Sequence, residues 1–247
     1  MYRLTETRSS RSFIRPLDIK NLPSCRSTIC VVCEFEPDQY TTGLYQHYGI
    51  NFPPRIQSSV LKRQAEFLAG RVCAQSALQE FGYSRFDVIQ GKTNDPIWPV
   101  GLSGSITHSN NYAAALVCKS HAYAGVGIDI EDNIEGSTRE AMTQLVVNKD
   151  ELCYLRSVTT SIVSLDRLLT LVFSSKESFF KAAFSLVGRY FDFSAVHITE
   201  VDLIERTITL QIQEALCEEL PVGSLVKAHY QLLNSSTLMT FAFLEHN

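Results

Sequence analysis

Two acidic residues stand two positions apart in the apolar segment 127–131, which reads GIDIE. In a β-strand, side chains alternate between faces, so Asp129 and Glu131 share one face and lie about 6–7 Å apart along the strand. Carboxylates at that spacing can both reach one hard cation through oxygen ligands. Glycines at 125 and 127 leave room beside them for a bulky ligand. Taken alone, these residues favour a simpler interpretation, in which the strand ends in a solvated acidic turn.

A third acidic residue lies in the segment 173–182, which reads FSSKESFFKA. Glu177 and Lys181 are four positions apart, so they project from one face of a helix, one turn apart. A third carboxylate and an ammonium group could complete a metal site and neutralise a phosphate. The alternatives are a surface ion pair of small energetic value or a capping box from Ser174 to Glu177. Capping is disfavoured because the apolar pattern begins near Asp166, well before Ser174.

Basic and hydroxyl side chains upstream of these motifs are candidate ligands for an anion. The segment 104–109, GSITHS, offers hydroxyl groups and an imidazole beside a glycine, which suits a phosphate. Arg63 and Arg71 are eight residues apart and therefore near one face of a helix. Guanidinium groups suit phosphate better than a flexible amine does. The alternatives are a satisfied histidine at a strand end and exposed helix charges.

The elements that must position these residues alternate in type along the chain. Helical periodicity occurs in three segments, 58–81, 139–156 and 162–187. Strand patterns occur at 29–35, in three short runs of an antiparallel meander at 104–109, 112–119 and 123–131, and in four runs within 195–244. Residues 83–102 are loop-rich, and residues 1–28 are expected to be irregular.

Helices followed by strands, twice over, predict an α+β fold of two similar-sized, pseudo-duplicated halves. Each half is expected to pack helices on a small antiparallel sheet. The predicted division is residues 1–124, with the anion-binding candidates, and residues 125–247, with the metal-binding and catalytic motifs. The duplication rests on element order alone.

Composition excludes several classes of function. The chain has 247 residues and a net charge of −4, which argues against nucleic acid as the main partner. No apolar run approaches the length of a membrane span, and the N-terminus has no secretory signal pattern. A cytoplasmic protein with reduced thiols is therefore expected. Cys30 and Cys33 have CxxC spacing but lie in an apolar strand without a second pair, so a metal or redox role is not expected.

Taken in order, these segments resemble the phosphopantetheinyl transferase superfamily, and most closely its larger, monomeric branch of the siderophore-synthetase kind. That family pairs a G-[IV]-D-[IVL]-E strand with a [WF]-[SA]-x-K-E-[SA]-x-x-K helix roughly 40–60 residues later, and 127–131 and 173–181 fit both patterns. Segments 62–71 and 96–109 resemble its upstream helix and its coenzyme A segment. The similarity runs from about residue 45 to residue 185. The one departure is Phe173, where many members have tryptophan.

The resemblance implies an Mg²⁺-dependent transfer of the 4'-phosphopantetheine group of coenzyme A to a serine of an apo acyl, peptidyl or aryl carrier protein, with release of 3',5'-ADP. It implies that Asp129, Glu131 and Glu177 hold Mg²⁺ against the pyrophosphate. Glu177 would also take the proton from the carrier serine, and Lys181 would stabilise the charge on the departing group. The phosphates of coenzyme A would be held by a further set, namely Arg63, Arg71, Lys92, Ser105, Thr107 and His108.

Two other functions stay open on the residues alone. A metal-dependent phosphoesterase could use the same three carboxylates, but it would normally need further ligands for a second metal. A non-catalytic coenzyme A-binding module would keep His108 and Arg63. Such a module has no need of the arrangement Lys176, Glu177 and Lys181.

Overall fold

The computed structural model describes residues 12–17, 27–134 and 136–246. The first half contains β1 (Ile14–Leu17), β2 (Thr28–Phe35), α1 (Gly43–Tyr48), α2 (Pro54–Gln57), α3 (Leu61–Gln79), β3 (Leu102–His108) and β4 (Tyr112–Lys119). The second half contains β5 (Gly125–Asp132), α4 (Ser137–Val146), α5 (Lys149–Val158), α6 (Leu165–Val187), β6 (Val196–Asp202), β7 (Thr207–Ile212), β8 (Leu225–Leu232) and β9 (Thr237–Leu244). The expected α+β fold of two halves is confirmed.

The first half is a four-stranded antiparallel sheet in the order β1-β2-β4-β3, with α3 packed on one face. The predicted helix at 58–81 is confirmed as α3, with shorter bounds. Its buried side chains, among them Leu68 and Val72, meet Phe35 and Val117 of the sheet in one core. This core holds α3 in place, so that its first turn lies beside the end of β3.

The expectation that residues 1–28 are irregular is wrong for the described residues 14–17. These form β1, which pairs antiparallel with β2 so that Ile14 lies opposite Phe35. Phe13 and Ile14 are buried and join the core under α3. The sequence around them is polar and basic, so the local pattern is weak, and burial against a neighbouring strand supplies the missing stabilisation. Cys25 and most of 1–28 lie outside the described residues.

The second half is a five-stranded antiparallel sheet in the order β5-β9-β8-β7-β6, covered by α6. The helix predicted at 162–187 is confirmed as α6, and the four strands predicted within 195–244 are confirmed as β6 to β9. The helix predicted at 139–156 is instead two helices, α4 and α5. The break comes from Asn148, which caps α5: Glu151 N donates to Asn148 Oδ1 at 2.8 Å, and Asn148 N donates to Glu151 Oε2 at 2.9 Å.

The predicted three-stranded meander is right for β3 and β4 and wrong for β5. β5 pairs with β9 in the other sheet, with Ile128 opposite Phe241. It still lies alongside β3, because two hydroxyl groups of β3 accept hydrogen bonds from its backbone. Ser105 Oγ accepts from Ile128 N at 3.2 Å, and Thr107 Oγ1 accepts from Ile130 N at 3.3 Å. Where the two sheets meet, hydrogen bonds to side-chain hydroxyl groups therefore replace the backbone-to-backbone hydrogen bonds of a continuous sheet.

The two sheets share a core of their own, formed on the apolar face of β5. Ile128 and Ile130 are buried there with Leu116 of the first sheet and Phe241 of the second. A division into domains at residue 124 stays a prediction. Among the described residues, no helix is both long and apolar enough to cross a membrane.

Candidate active site

Asp129 lies on β5, on the face opposite the shared core, and is almost fully buried beneath α6. Its Oδ2 accepts a hydrogen bond from Ser174 Oγ at 2.9 Å. Its Oδ1 accepts from Lys181 Nζ at 2.6 Å and from Thr107 Oγ1 at 3.1 Å. Three elements, β3, β5 and α6, therefore converge on one carboxylate.

The two glycines of β5 explain how α6 comes so close. A Cβ atom on Gly127 would overlap the carbonyl oxygen of Ser178, and one on Gly125 would overlap that of Ala182. The prediction that these glycines leave room for a bulky ligand is wrong, because the backbone of α6 occupies that space. Their role is to let the helix approach until Lys181 Nζ reaches the carboxylate and also the Ile128 carbonyl oxygen at 3.2 Å.

Glu131 and Glu177 lie within electrostatic reach of this pair. Burial, together with the negative charges of Asp129 and Glu177, raises the pKa of Glu131 to about 8 against the opposing charge of Lys181. Burial also raises the pKa of Glu177, with Lys181 lowering it and Asp129 raising it. The site therefore concentrates three carboxylates around one ammonium group, and the excess negative charge is what a divalent cation would offset.

The donor set fits magnesium better than a metal that needs a full protein cage. In the ranges that the structure describes, no group of three or more His, Cys, Asp or Glu side chains forms a ready-made cage. The carboxylates offer only oxygen ligands. Mg²⁺ typically takes one or two protein carboxylates and completes its shell with waters and substrate phosphates. Ligation by Asp129, Glu131 and Glu177 stays a prediction.

Lys176 has a different role from its neighbour Glu177 in the motif. Its ammonium group is buried and donates to Val146 O at 2.7 Å and Phe193 O at 3.3 Å, and it pairs with Glu151 Oε1 at 2.9 Å. Burial lowers the pKa of Lys176, and Glu151 opposes that shift. These contacts attach α6 to neighbouring segments of the second half. Because such a structural contact would serve an enzyme and a binding module equally, Lys176 does not distinguish the two.

Arg63 and His108 form the second polar group of the site. Arg63 Nη1 contacts His108 Nε2, and Glu66 Oε2 lies 3.6 Å from Arg63 Nη1 and 3.5 Å from His108 Nδ1. Burial and the positive charges of Arg63 and then Lys181 lower the pKa of His108 to about 3, so the ring is neutral. Since a guanidinium can only donate, Nε2 is the acceptor and Nδ1 carries the proton towards Glu66. An anion bound here would meet the Arg63 guanidinium, and the neutral imidazole would donate to it only in its other tautomer, with Nε2 protonated and released from Arg63.

The other predicted anion ligands have different surroundings. Arg71 is buried: its Nε donates to Val88 O at 2.7 Å and its guanidinium carbon lies 4.3 Å from the centre of the Phe67 ring. Burial lowers the pKa of Arg71 to about 10. Lys92 is exposed on a turn and does not line the cavity described next. Ser105 and Thr107 join β3 to β5, as described above. The structure brings Arg63 and His108 together, although neither lines that cavity. Ser105 lines the cavity, Arg71 and Thr107 serve other contacts, and Lys92 stands apart.

A cavity of about 750 Å³ lies between the two halves, a size typical of small-molecule sites. It is lined by Lys181 and Ser105, by the loop residues Thr93 to Trp98, and by the aromatic residues Phe180 and Tyr190. A second cavity of about 350 Å³, lined by Glu177, shares the last two residues with the first. Sequence reasoning missed Tyr190. The aromatic-rich segment 190–193, YFDF, which begins two positions after the helix-ending Gly188, is the signal that could have indicated it.

Comparison with known proteins shows which family the chain belongs to. A model of the 4'-phosphopantetheinyl transferase N-terminal domain matches residues 53–118, and a model of the 4'-phosphopantetheinyl transferase superfamily matches residues 125–242. The chain is 36% identical to enterobactin synthase component D of Escherichia coli (strain K12) over 66% of this chain and 74% of that protein. The chain therefore belongs to the 4'-phosphopantetheinyl transferase superfamily.

Two further relatives carry related names. The chain is 37% identical to 4'-phosphopantetheinyl transferase Npt of Nocardia iowensis over 58% of this chain, and 34% identical to 4'-phosphopantetheinyl transferase PptT of Mycobacterium tuberculosis over 59% of this chain. In each case the match spans 62% of the relative. The family is thus established, while activity, substrates and partners are taken up below as proposals.

Proposed function

We propose that this protein transfers the 4'-phosphopantetheine group of coenzyme A to a serine of an apo carrier protein, with release of 3',5'-ADP. The observation that carries the proposal is the Lys181–Asp129 ion pair, with Glu131 and Glu177 around it, beside a cavity between the two halves. Phosphoryl-type transfer requires charge neutralisation and positioning more than covalent catalysis, and this arrangement provides both.

Each residue has a separate task in the proposed reaction. The carrier serine oxygen forms a bond to the β-phosphorus, which is the phosphorus attached to the pantetheine arm, and the pyrophosphate P–O bond breaks with its electron pair leaving on 3',5'-ADP. Glu177 takes the serine proton, a role favoured by its raised pKa. Lys181 stabilises the developing negative charge, since its side chain is 26% exposed and lines the cavity. Arg63 and His108 hold the 3'-phosphate.

Mg²⁺ is the proposed metal, held by Asp129, Glu131 and Glu177, and when bound it supplies neutralisation of the pyrophosphate. The binding proposal is supported by the oxygen-only donors and by the raised pKa of Glu131, whose causes are burial first and then the negative charges of Asp129 and Glu177. Coenzyme A is the proposed occupant of the 750 Å³ cavity.

The proposed partner is an acyl, peptidyl or aryl carrier domain, and carriers of siderophore synthesis are the first to test because three relatives are named enterobactin synthase component D in different organisms. A monomer is proposed because one chain supplies both walls of the cavity. A cytoplasmic location is proposed because the cysteines of the described residues are free thiols.

The test is mass spectrometry of apo carrier domains incubated with the protein, coenzyme A and Mg²⁺. We expect an increase of about 340 Da on the carrier serine, lost in excess EDTA because the pyrophosphate then lacks its counter-charge. The matched control is Glu177→Gln, which should slow transfer by at least roughly 10²-fold because it removes a metal ligand charge and the proposed base together. Undiminished transfer in EDTA would overturn the metal assignment, and no mass increase on any carrier class would overturn the function.

A further inference from the structure

One hydrogen bond joins the two walls of the cavity at its exposed rim. Tyr190 Oη donates to the carbonyl oxygen of Thr93 at 3.2 Å, and both residues line the 750 Å³ cavity. Thr93 belongs to the first half of the chain and Tyr190 to the second. Tyr190 is 65% exposed, so the core does not require this bond, and its position at the rim calls for another explanation.

Thr93, the partner from the first half, lies in the turn 91–95, which is stabilised by hydrogen bonds within the turn. Gly91 N donates to Asp95 O at 2.7 Å, and Asn94 N donates to Gly91 O at 3.1 Å. Thr93 Oγ1 donates to Asp95 Oδ1 at 2.5 Å, and Asn94 adopts a left-handed conformation with φ 68°. The turn 91–95 can therefore shift without losing its internal bonds, and besides Tyr190 it is held by Arg55, whose Nη1 donates to Asn94 Oδ1.

Tyr190, the partner from the second half, packs against α6, the helix that carries the proposed catalytic residues. α6 ends at Gly188, whose left-handed φ of 67° turns the chain back so that Tyr190 lies on the helix. The Tyr190 ring stacks on Phe180, with centroids 5.7 Å apart and an interplanar angle of 24°, and packs against Phe184 at 5.3 Å. Phe180 directly precedes Lys181. The apolar ring is thus anchored while the hydroxyl reaches across the rim.

We propose that Tyr190 is a positioning residue. Its hydrogen bond to Thr93, which we call the strap, holds the 91–95 turn across the cavity and so retains coenzyme A there. This inference rests on the proposed function, because it takes coenzyme A as the occupant. A ligand as large as coenzyme A enters or leaves most easily when the turn swings away, and that movement breaks the Tyr190–Thr93 bond. The strap therefore controls how long the coenzyme stays bound, and Lys181 and Glu177 determine the rate of transfer.

The test is stopped-flow measurement of coenzyme A dissociation from Tyr190→Phe, which lacks only the hydroxyl and keeps the ring stack. We expect dissociation to become roughly threefold to tenfold faster, the effect of losing one hydrogen bond between neutral groups. The KM for coenzyme A should rise with it, while kcat and the thermal midpoint of the ligand-free protein stay unchanged. Tyr190→Ala, which also loses the stack on Phe180, should release the coenzyme faster still.

The matched control is Tyr83→Phe, because Tyr83 packs edge-on against Phe86 and lies outside the cavity. It should behave as the unaltered protein. Dissociation from Tyr190→Phe within about twofold of the unaltered protein, well below the expected effect of one hydrogen bond, would overturn the strap and leave the proposed function standing. A fall in the ligand-free thermal midpoint without faster release would also overturn it, since the hydroxyl would then support the fold. An unaltered protein that binds no coenzyme A would overturn the proposed function and the strap together.

Discussion

Lys176 and Lys181 lie five residues apart on α6, and each forms a short ion pair with a buried carboxylate, yet their surroundings are opposite. Lys176 Nζ lies 2.9 Å from Glu151 Oε1, with side chains only 1% and 4% exposed. Lys181 Nζ lies 2.6 Å from Asp129 Oδ1, with side chains 26% and 5% exposed. We call the first pair, which is almost fully buried, the closed pair, and the second, which is partly exposed beside the 750 Å³ cavity, the open pair.

The partners around each pair explain the difference. Two carbonyl oxygens complete the hydrogen bonds of Lys176, so all of its donors are used within the fold. Around Lys181 two further carboxylates raise the negative charge beyond what one ammonium can balance. A buried ion pair that is fully satisfied is costly to break from one side, because the remaining charge is then buried without a partner. A pair with unbalanced charge beside a cavity is suited to bind a cation and a phosphate.

The largest expected effect tests the closed pair. Lys176→Met leaves Glu151 buried without its counter-charge, so the free energy of unfolding should fall by about 3–5 kcal/mol. Turnover per folded molecule should change less than tenfold, a limit set by roughly 1.4 kcal/mol in the barrier. Chemical denaturation and active-site-normalised kinetics measure the two quantities.

Two further variants sharpen that result. Adding Glu151→Gln to Lys176→Met should recover part of the loss, because the unpaired charge is then removed. Lys119→Met, at an exposed position on β4, should leave the free energy of unfolding nearly unchanged. A Lys176→Met protein as stable as the unaltered one would show that the closed pair contributes nothing to the fold.

The next effect tests the open pair. Lys181→Met should lower kcat by roughly 10²- to 10³-fold, the usual cost of losing one group that stabilises transition-state charge. Stability should fall less than in Lys176→Met, because Ser174 and Thr107 still donate to Asp129. Single-turnover transfer with saturating coenzyme A measures the chemical step. A kcat within about fivefold of the unaltered protein, far short of the cost expected for such a group, would remove Lys181 from the proposed mechanism.

The smallest effect concerns Arg63 and His108, the pair proposed to bind the 3'-phosphate. His108→Ala and Arg63→Ala should each weaken coenzyme A binding by on the order of 1–3 kcal/mol, the value of one charge-assisted hydrogen bond. With dephospho-coenzyme A, which lacks only the 3'-phosphate, the same variants should lose little, because the contacted group is absent. Titration calorimetry with both ligands separates the cases. Equal losses with the two ligands would place these residues on the pyrophosphate or in the scaffold.

Much of the scaffold could be predicted because its signals are local. The 3.6-residue periodicity of α3 and α6 and the apolar alternation of β5 follow from each segment's own need to bury one face. The break at Asn148 is also local, and the capping residues Asn148 and Glu151 were present in the sequence as a signal. β1 was not predictable in this way, because Ile14 is held by its pairing opposite Phe35.

The sequence by itself determined which residues are candidates for chemistry: two carboxylates on one strand face, a Glu–Lys pair on one helix face, and an arginine and a histidine upstream. Type and spacing suffice for this, since the periods of helices and strands fix which side chains share a face. Only the tertiary structure decided which faces meet. In the folded chain the backbone of α6 occupies the space at Gly127, Lys176 is buried against Glu151, and Arg71 donates to the carbonyl oxygen of Val88. Burial and electrostatics depend on neighbours distant in sequence, so two lysines of one helix acquired different surroundings only when the chain folded.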